Sequence, residues 1–592
     1  MNTYYRNALC GELNKASVGK TVKLSGWTDT RRNLGGVLFI DLRDRTGKVQ
    51  LVVNEEVSAE AFAEAEKVRN EYVLCVEGEV VLRDEANVNE KMATGEIEVM
   101  VNQLTILDTA ETPPIYVEDE DKSNEAVRLK YRYLDLRKPK NQKMLRTRAK
   151  VASIVRNFLN DEGFLEIETP ILCKPTPEGA RDFLVPSRVQ KGNFFALPQS
   201  PQLFKQILMI SGCDRYYQLA KCFRDEDLRQ DRQPEFTQID MELSFVTRDD
   251  ILPIMEQMIA KVFKEVRGID VELPLKRMTW REAMDRFGSD KPDTRFGMEL
   301  VNISDIVENS DFKVFSGAVK KGGSVRAIIA KDAQGKLSKK TIKNLEKFVA
   351  VYKAKGLAWI DVKTDGEMKS PILKFISEEE KQAIFDRMGA EDGDMIFMVA
   401  DTDDIVCTSL GQLRLELADK LGFDLSGKFE FLWVVDFPMV EYNPDEGRYV
   451  AVHHPFTAPL TEDIPYLDTD PGRVRADAYD MVVNGVELGG GSIRIHNQDI
   501  QEKMFKALGF TMDEAWEKFG FLLEALKYGT PPHGGLAFGL DRLIMLLMDI
   551  DNIRDVIAFP KTQNHSCLMT DAPAEAELDQ LIDLGISLDD VL

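Results

Sequence analysis

One strand constrains this chain more than any other stretch, because it separates apolar from polar side chains completely. From Gln238 to Phe245 the sequence reads QIDMELSF. Successive side chains of a strand point to opposite faces. One face therefore carries only apolar groups and the other carries Gln238, Asp240, Glu242 and Ser244. An amphipathic hairpin on the surface would show the same alternation. However, the polar side chains of this face have fixed hydrogen-bonding geometry, which favours the interpretation that they form the floor of a ligand site.

The loop before this strand is rich in arginine. Arg224, Arg229 and Arg232 fall within nine positions, among acidic residues. Arginine is the side chain best suited to bidentate capture of a phosphate or a carboxylate. The stretch from Phe223 to Phe245 is therefore predicted to be a strand, a loop and a second strand that hold an anionic ligand.

The length of 592 residues allows about three or four domains. Seven cysteines, an odd number without metal-ligand spacing, are typical of a reducing cytoplasm. We see neither a signal-peptide core nor an apolar run near the ~20 residues of a membrane span, so we expect a cytoplasmic protein without a membrane partner. The net charge of −24 argues against nucleic-acid binding unless a local basic face exists.

Such a basic face is predicted near the N-terminus. Residues 1–110 show five short alternating runs and one helical insert, Ala59–Val68, a pattern typical of an OB-type β-barrel. Within residues 19–50, seven Lys and Arg outnumber three Asp. Phe39 lies among these charges, where an exposed aromatic ring would stack on single-stranded bases. The alternative is that Phe39 fills the barrel core.

The rest of the chain is predicted to be an α+β multidomain protein. Its expected parts are a hinge at 111–140, a first catalytic part at 141–287, an inserted α+β domain at 288–422, a second catalytic part at 423–560 and a tail at 561–592. The insert shows no convergent polar cluster. The Pro- and Gly-rich loop Pro175–Asp182 is either a connector or a lid.

A short helix is predicted to begin at Ser200-Pro201, with Ser as the N-cap and Pro in the first turn. Gln202 and Lys205 share one of its faces. A lone lysine on a helix is usually solvated. Lys205 lies among apolar residues, which favours a buried or site-facing position.

A hairpin over Ala478–Ile495 is predicted from Asn484-Gly485, a type I′ turn signal. This turn places Asp480 and Glu487 on one face, where a pair of carboxylates would suit Mg²⁺. Simple alternation would put Arg494 on the other face. We expect a bulge at the glycines 489–491 to bring Arg494 into the same site.

The last core element is the stretch Gly534–Met548, where small residues lead into an apolar helix that has Arg542 near its start. Glycines allow a close approach of a ligand, and a helix N-terminus favours anions. Such junctions are common, so this motif is weak when taken alone.

Three motifs in order resemble those of class II aminoacyl-tRNA synthetases. The first ends at Pro170, the second runs from Phe223-Arg224-Asp225-Glu226 to Phe236, and the third is Gly539–Arg542. The resemblance covers nearly the whole chain and extends to the layout of the bacterial aspartyl enzymes. It implies an antiparallel catalytic sheet flanked by helices, an anticodon-binding barrel and a homodimer formed partly through the first motif. The implied reaction joins L-aspartate to the 3′ end of tRNA-Asp with ATP as a substrate and Mg²⁺ as a cofactor.

The resemblance also implies residue roles. The catalytic residues would be Arg224, Glu226 and Arg542. ATP would contact Arg224, Asp225, Glu226, Gln233, Phe236, Glu487, Gly539, Leu540, Asp541 and Arg542. Aspartate would contact Glu178, Gln202, Lys205, Asp240, His453, His454 and Arg494. Mg²⁺ would lie at Asp480 and Glu487, and the anticodon at Arg32, Phe39 and Gln50.

Four other functions remain open from the sequence. An asparaginyl-tRNA synthetase shares the three motifs, but the insert and the Lys205/Arg494 pair argue against it. A non-catalytic RNA-binding relative should lack Arg224, Glu487 or Arg542, and an asparagine-making ligase should lack the barrel. A relaxed enzyme would charge both tRNA-Asp and tRNA-Asn, and Leu34 in a barrel loop leans weakly toward the strict type.

Overall fold

The structure is a computed structural model that describes residues 3–175, 179–363 and 367–587. Its N-terminal part is a closed barrel with the strand order β1-β2-β3-β5-β4. The elements are β1 (Thr21–Leu34), β2 (Val37–Asp44), β3 (Gly47–Asn54), α1 (Ala59–Ala65), β4 (Val73–Leu82) and β5 (Ile97–Asp108). Five strands with a helix between the third and the fourth confirm the predicted OB-type barrel.

The segment predicted as a hinge is partly helical. Residues 111–140 contain α2 (Glu125–Lys130), α3 (Arg132–Asp135) and the start of α4 (Pro139–Asp161). Arg132 is buried and donates hydrogen bonds of 2.9 Å to the backbone carbonyls of Ile557 and Ala558. The second half of this segment therefore belongs to the folded catalytic unit.

The first part of the catalytic unit follows α4. Its elements are β6 (Leu165–Glu166), β7 (Leu184–Pro186), β8 (Phe194–Ala196), α5 (Gln202–Ile210), β9 (Arg215–Phe223), β10 (Glu235–Ser244), α6 (Arg248–Arg267), β11 (Lys276–Thr279) and α7 (Trp280–Phe287). The helix α4 ends at Gly163, whose φ of +79° suits glycine. The strand β6, which follows this helix, contains only two residues.

The inserted domain contains an antiparallel sheet in the order β12-β13-β16-β14-β15, with helices on both faces. Its elements are β12 (Val301–Asn302), α8 (Ser304–Val307), α9 (Lys313–Lys320), β13 (Ser324–Ala330), α10 (Lys339–Val351), β14 (Ala358–Val362), β15 (Met368–Lys369), α11 (Glu378–Met388), β16 (Met395–Asp401) and α12 (Asp403–Lys420). Helices α10 and α12 share one hydrophobic core with the sheet, while α8, α9 and α11 share another.

The catalytic unit then resumes. Its remaining elements are β17 (Phe431–Val435), β18 (Val440–Asn443), β19 (Arg448–Ala451), β20 (Ala478–Val483), β21 (Val486–Ile493), α13 (Gln498–Ala507), α14 (Met512–Ala525), β22 (His533–Gly539) and α15 (Leu540–Met548). A short exposed helix, α16 (Leu578–Leu584), follows near the C-terminus.

The two catalytic parts build one sheet in the order β11-β17-β20-β21-β22-β10-β9-β6. The six strands from β17 to β9 are antiparallel to one another, as predicted. Both edge strands, β11 and β6, pair in parallel with their neighbours. The sheet has one face against the helices α4, α6 and α15 and leaves its other face for a ligand.

The alternation of β10 decides which face is which. Ile239, Met241 and Leu243 are fully buried against these helices, because that face alone is apolar. Asp240 and Glu242 point to the opposite face and are also buried. In the part of the chain that the structure describes, we find no helix with both the length and the hydropathy needed to cross a bilayer.

Candidate active site

A cavity of about 550 Å³ lies on the polar face of the catalytic sheet. Strands β10, β20, β21 and β22 form its floor, and the loop before β10 covers one side. Its walls include the sequence-predicted residues Gln202, Lys205, Arg224, Glu226, Gln233, Phe236, Asp240, His453, His454, Asp480, Glu487, Arg494, Gly539, Asp541 and Arg542. The fold thus gathers into one site residues that are up to 340 positions apart, from Gln202 to Arg542.

Two buried cations and two buried carboxylates form a network at the inner end of this cavity. Lys205 Nζ lies 2.6 Å from Asp240 Oδ1 and 3.2 Å from Glu242 Oε2. Arg494 donates to both oxygens of Glu242, over 2.9 and 3.2 Å. Because buried charges are stable only when they are paired, this network keeps two cations available in a dry site.

The network also sets the protonation of its carboxylates. Burial would raise the pKa of Glu242, but Arg494 and Lys205 outweigh it and hold that pKa below its ordinary value. Burial raises the pKa of Asp240, although Lys205 partly opposes it. Glu242 is therefore the fixed anion of the network.

Two neutral histidines adjoin the network. Burial lowers the pKa of His453 to about 4. Burial, followed by Arg494, lowers the pKa of His454 well below its ordinary value. The guanidinium Nη1 of Arg494 lies 2.8 Å from Nε2 of His454, and the Phe456 N–H lies 3.1 Å from its Nδ1. A neutral imidazole accepts at only one nitrogen, so only one of these two contacts is a hydrogen bond to the ring, and neither neighbour can accept the second proton of a charged ring.

The hairpin β20–β21 brings a second pair of carboxylates into the cavity. Its Asn484-Gly485 turn has positive φ at both residues, and Val483 pairs with Val486 as predicted. Asp480 is buried and faces Glu487. Burial and then the neighbouring Glu487 raise the pKa of Asp480 well above its ordinary value.

A bulge in β21 explains how both Glu487 and Arg494 can face the cavity. The register of β20 with β21 shifts so that Val482 pairs with Glu487 but Met481 pairs with Gly489. The extra residue, Leu488, points into the hydrophobic core. The bulge therefore turns both Glu487 and Arg494 toward the cavity, as expected, but it lies at Leu488, just before the glycines at which it was predicted.

The arginine loop, residues 224–234, covers the outer half of the cavity. The Arg224 guanidinium lies 5.1 Å from the centre of the Phe236 ring, a cation–π contact. Within the loop, Arg232 donates to Glu226 over 2.7 Å. The loop also has contacts near the C-terminus, where the Gln230 carbonyl accepts from the Ile553 N–H and the Gln233 side chain donates to the Lys561 carbonyl.

The side chains of the third motif have different positions relative to the cavity. Arg542 lines the cavity and donates to the Glu487 carbonyl over 2.6 Å. Asp541 accepts from Arg148 and from the Thr237 N–H, so it fixes α15 to β10. Leu540 packs in the hydrophobic core and its side chain does not reach the cavity.

Four buried polar atoms on the cavity wall have no hydrogen-bond partner among the described residues: Gln202 Nε2, Arg224 Nε, Asp240 Oδ2 and His453 Nδ1. A buried polar group without a partner costs free energy. The set combines donors with an acceptor, so it suits a ligand that bears both anionic and cationic groups.

A family model described as "tRNA synthetases class II (D, K and N)" matches residues 124–563. The chain belongs to the class II tRNA synthetases. A second model, "OB-fold nucleic acid binding domain", matches residues 22–107 of this synthetase. It is therefore an aminoacyl-tRNA ligase, and ligases of this family use ATP as a substrate.

Curated relatives of this synthetase match it over its full length. A protein of Thermoanaerobacter sp. (strain X514) named aspartate–tRNA(Asp/Asn) ligase is 58% identical over 100% of this chain and 99% of its own. A protein of Ruminiclostridium cellulolyticum named aspartate–tRNA ligase is 59% identical over 98% of both chains.

Solved structures agree with the synthetase fold. The asparaginyl-tRNA synthetase of Pyrococcus horikoshii has a TM-score of 0.58 at 20% identity and covers 94% of this chain and 98% of its own. The aspartyl-tRNA synthetase of Entamoeba histolytica has a TM-score of 0.57 at 19% identity and covers 93% of this chain and 90% of its own.

On the barrel of the synthetase, the three predicted anticodon residues lie side by side. Arg32 pairs across strands with Phe39, and its Nη2 donates to Gln50 Oε1 over 3.0 Å. Phe39 is half-buried and lies outside the barrel core, so it does not fill that core. Asp41 also contacts Arg32, at 3.3 Å.

Some predicted residues of the synthetase site are not placed in the cavity. Glu178 lies outside the described residues. Asp225 does not line the cavity, and its N–H donates to the Arg181 carbonyl. Gln233 lines it, but its side-chain amide is bound to the backbone of Lys561 in both directions.

Some charged residues of the synthetase site were missed, among them Glu242, Asp290 and Lys291. Glu242 lies on the polar face that the sequence identified, and this alternation was a usable signal. Lys291 Nζ lies 3.3 Å from Glu487, and with Asp290 it lines the cavity. The insert, residues 288–422, was expected to show no convergent polar cluster, but its first residues contribute Asp290 and Lys291 to the cavity. Nothing in the sequence near Lys291 pointed to Glu487.

Proposed function

We propose that this synthetase activates L-aspartate with ATP and transfers the aspartyl group to the 3′ end of tRNA-Asp. The observation that carries the proposal is the buried pair Lys205 and Arg494, held beside Asp240 and Glu242. A substrate whose side chain is a carboxylate satisfies both cations. The names of the full-length relatives, which include aspartate–tRNA ligases, support the same substrate.

The aspartate side chain binds Lys205 and Arg494, and the α-ammonium binds Asp240, whose Oδ2 lacks a partner. Gln202 lies beside them and donates its free Nε2 hydrogens. An asparagine amide would present N–H groups to the two cations. Losing a charged hydrogen bond costs about 1.5–3 kcal/mol, so asparagine is rejected by electrostatics.

Adenylation needs no general base, because the attacking α-carboxylate is already ionised. One of its oxygens bonds to the α-phosphorus of ATP, and the bond to the pyrophosphate oxygen breaks. Arg224 neutralises the charge that develops at the phosphorus. Phe236 and Arg542 hold the adenine ring between them, and Glu226 positions it once Arg232 has released its carboxylate.

In the second step, the 3′ hydroxyl of the terminal adenosine attacks the acyl carbon of the adenylate, and AMP leaves. This is transfer by positioning and electrostatic stabilisation. The barrel holds the anticodon through Arg32, Phe39 and Gln50.

The oxygen pair Asp480 and Glu487 fits Mg²⁺, since this ion is commonly bound by one or two carboxylates together with phosphate oxygens. The burial of Asp480 against Glu487 supports this assignment, because the pair repels unless a cation is near. Mg²⁺ bound there supplies charge neutralisation for the phosphates of ATP.

The proposal includes a homodimer and a cytoplasmic location. Leu165, Ile171 and Leu172, which surround the end of the first motif, are between 41% and 54% exposed, and β6 leaves a sheet edge open. Apolar groups at an open edge are suited to a partner subunit. None of the seven cysteines, all of which lie in the described residues, forms a disulfide, in accord with a reducing compartment. Light scattering during gel filtration tests the dimer.

The tRNA specificity is tested by aminoacylating tRNA-Asp and tRNA-Asn side by side. Leu34 is 64% exposed at the tip of the β1–β2 hairpin, where a tRNA base would meet it. The proposed strict enzyme charges tRNA-Asp alone. Equal charging of tRNA-Asn would make it a relaxed enzyme, as the name of the Thermoanaerobacter relative states for that protein.

A further inference from the structure

The tail was expected to begin at residue 561, but its first residues, together with the end of the second catalytic part, pack along the arginine loop. We name residues 553–565 the C-terminal brace. The Ile553 N–H donates to the Gln230 carbonyl over 3.0 Å, near the middle of the loop. The brace therefore contacts the middle of the arginine loop, although the two segments are far apart in the sequence.

A second contact fixes the end of the loop that leads into β10. Lys561 N–H donates to Gln233 Oε1 over 2.8 Å, and Gln233 Nε2 donates back to the Lys561 carbonyl over 3.1 Å. Lys561 Nζ also lies 2.8 Å from Glu235 Oε1. Two reciprocal hydrogen bonds and an ion pair fix both the position and the direction of this backbone.

A third contact fixes the other end of the loop, next to Arg224. His565 Nε2 donates to the Glu226 carbonyl over 3.1 Å, because a carbonyl oxygen can only accept. His565 Nδ1 lies 4.0 Å from Asp225 Oδ1. The half-buried His565 has a φ of +59°, which is uncommon outside glycine. Its neighbours must hold it in this conformation.

We propose that the C-terminal brace is a positioning element of the adenylation reaction, with His565 and Lys561 as its positioning residues. It holds both ends of the arginine loop, so that the backbone that carries Arg224 and Glu226 is in place before ATP binds. An ordered loop does not pay the entropy of ordering when the ligand arrives. This inference rests on the proposed function, because it assigns the loop to ATP.

The brace acts on the ATP end of the cavity and not on the aspartate end. Its contacts are with Asp225, Glu226, Gln230, Gln233 and Glu235, whereas the aspartate network is built from α5, β10 and β21. Loss of the brace should therefore raise the KM for ATP and leave the KM for aspartate nearly unchanged.

The test compares His565→Phe with His565→Gln. Phenylalanine keeps a ring of similar size but has no donor, whereas glutamine keeps a donor that can reach the Glu226 carbonyl. In aspartate-dependent pyrophosphate exchange, we expect His565→Phe to raise the KM for ATP about tenfold, in keeping with the loss of one hydrogen bond. His565→Gln should recover most of this loss, and the KM for aspartate should stay within about twofold.

Lys561→Met is the second variant, and Lys527→Met is its matched control. Lys527 forms an exposed ion pair of 2.6 Å with Glu524, away from the loop. We expect Lys561→Met to raise the KM for ATP and Lys527→Met to leave it unchanged. Equal effects in both lysine variants would overturn the proposal, as would equal losses in both His565 variants.

Amide hydrogen exchange over residues 224–235 separates this proposal from the proposed function, because it needs no catalysis. His565→Phe should speed exchange in the loop of the ligand-free protein and leave the rest of the sheet protected. Unchanged amide hydrogen exchange in the loop would overturn the positioning role of the brace, even if the enzyme is active. A protein that shows faster exchange in this variant but no aspartate-dependent activity would keep the brace and contradict the proposed function.

Discussion

The guanidinium of Arg494 and the carboxylate of Glu242 form a bidentate pair, with contacts of 2.9 and 3.2 Å between residues 252 positions apart. Glu242 has no exposed side-chain surface and Arg494 has 3%. Since Glu242 also contacts Lys205, one buried carboxylate orients both cations that are proposed to read the substrate.

Replacing Glu242 by glutamine should therefore lower the stability of the protein and weaken its binding of aspartate. It leaves Lys205 and Arg494 under-compensated in a buried site, which should cost about 3–5 kcal/mol of the free energy of unfolding. The KM for aspartate should rise, because the cations lose their orientation. Thermal unfolding and exchange kinetics check this, with the exposed Glu346→Gln as a control. A variant as stable as that control would contradict the role of Glu242.

Lys291 should act as the resident cation of the Asp480–Glu487 pair. Burial would lower the pKa of Lys291, but Glu487 and Asp290 outweigh it and raise that pKa, so the side chain is charged. Without this charge, the carboxylates should attract a divalent ion more strongly. Titration of ATP-free protein with Mn²⁺ should show about tenfold tighter binding for Lys291→Met than for Lys291→Arg. Identical affinities would show that Lys291 does not compensate the pair.

Stability should fall in the window between pH 6.5 and about pH 4 because of His453. Its pKa is about 4 in the folded chain against an ordinary 6.5, so the unfolded chain binds more protons in this window. The free energy of unfolding contributed by His453 is complete above pH 6.5 and declines by roughly 3 kcal/mol on reaching pH 4. Denaturation at several pH values should show a flatter profile for His453→Gln. If the free energy of unfolding depends on pH in the same way in the unaltered protein and in His453→Gln, His453 is not held neutral in the folded chain.

Phe39 should contribute to tRNA binding and not to adenylation. Base stacking on an aromatic ring is worth about 1–3 kcal/mol, so Phe39→Ala should weaken tRNA binding about tenfold or more. Pyrophosphate exchange should be unchanged. Filter binding checks the affinity, with Leu82→Ala, an exposed apolar position on the same barrel, as the control. Equal affinity in both variants would remove Phe39 from the interface.

The sequence was informative wherever chemistry is local. The alternation of β10 correctly separated Met241 from Asp240, and the Asn484-Gly485 turn set the register of its hairpin. A bulge that brings Glu487 and Arg494 to one site was also predictable, because simple alternation would put them on opposite faces, but its position at Leu488 was not. The barrel was read from five runs and one helix.

What the sequence left out depends on tertiary contacts. The alternation put Glu242 on the polar face, but its cationic partners are Lys205 on α5 and Arg494 directly after β21. Lys291 reaches Glu487 because the start of the insert packs against the hairpin, where a Cβ on Gly485 would lie 3.0 Å from the Asp293 side chain. His565 lies in a polar stretch that was predicted to be a tail. Its contact with the arginine loop is a tertiary contact at Glu226, which the sequence did not indicate.

The most direct test of the account is pyrophosphate exchange by the unaltered protein, measured with aspartate and with asparagine in parallel. The buried Lys205 and Arg494 predict ATP–pyrophosphate exchange that depends on aspartate and is at least about tenfold weaker with asparagine. Exchange that is equal with both amino acids, or stronger with asparagine, would contradict the assignment of these two cations to the substrate carboxylate.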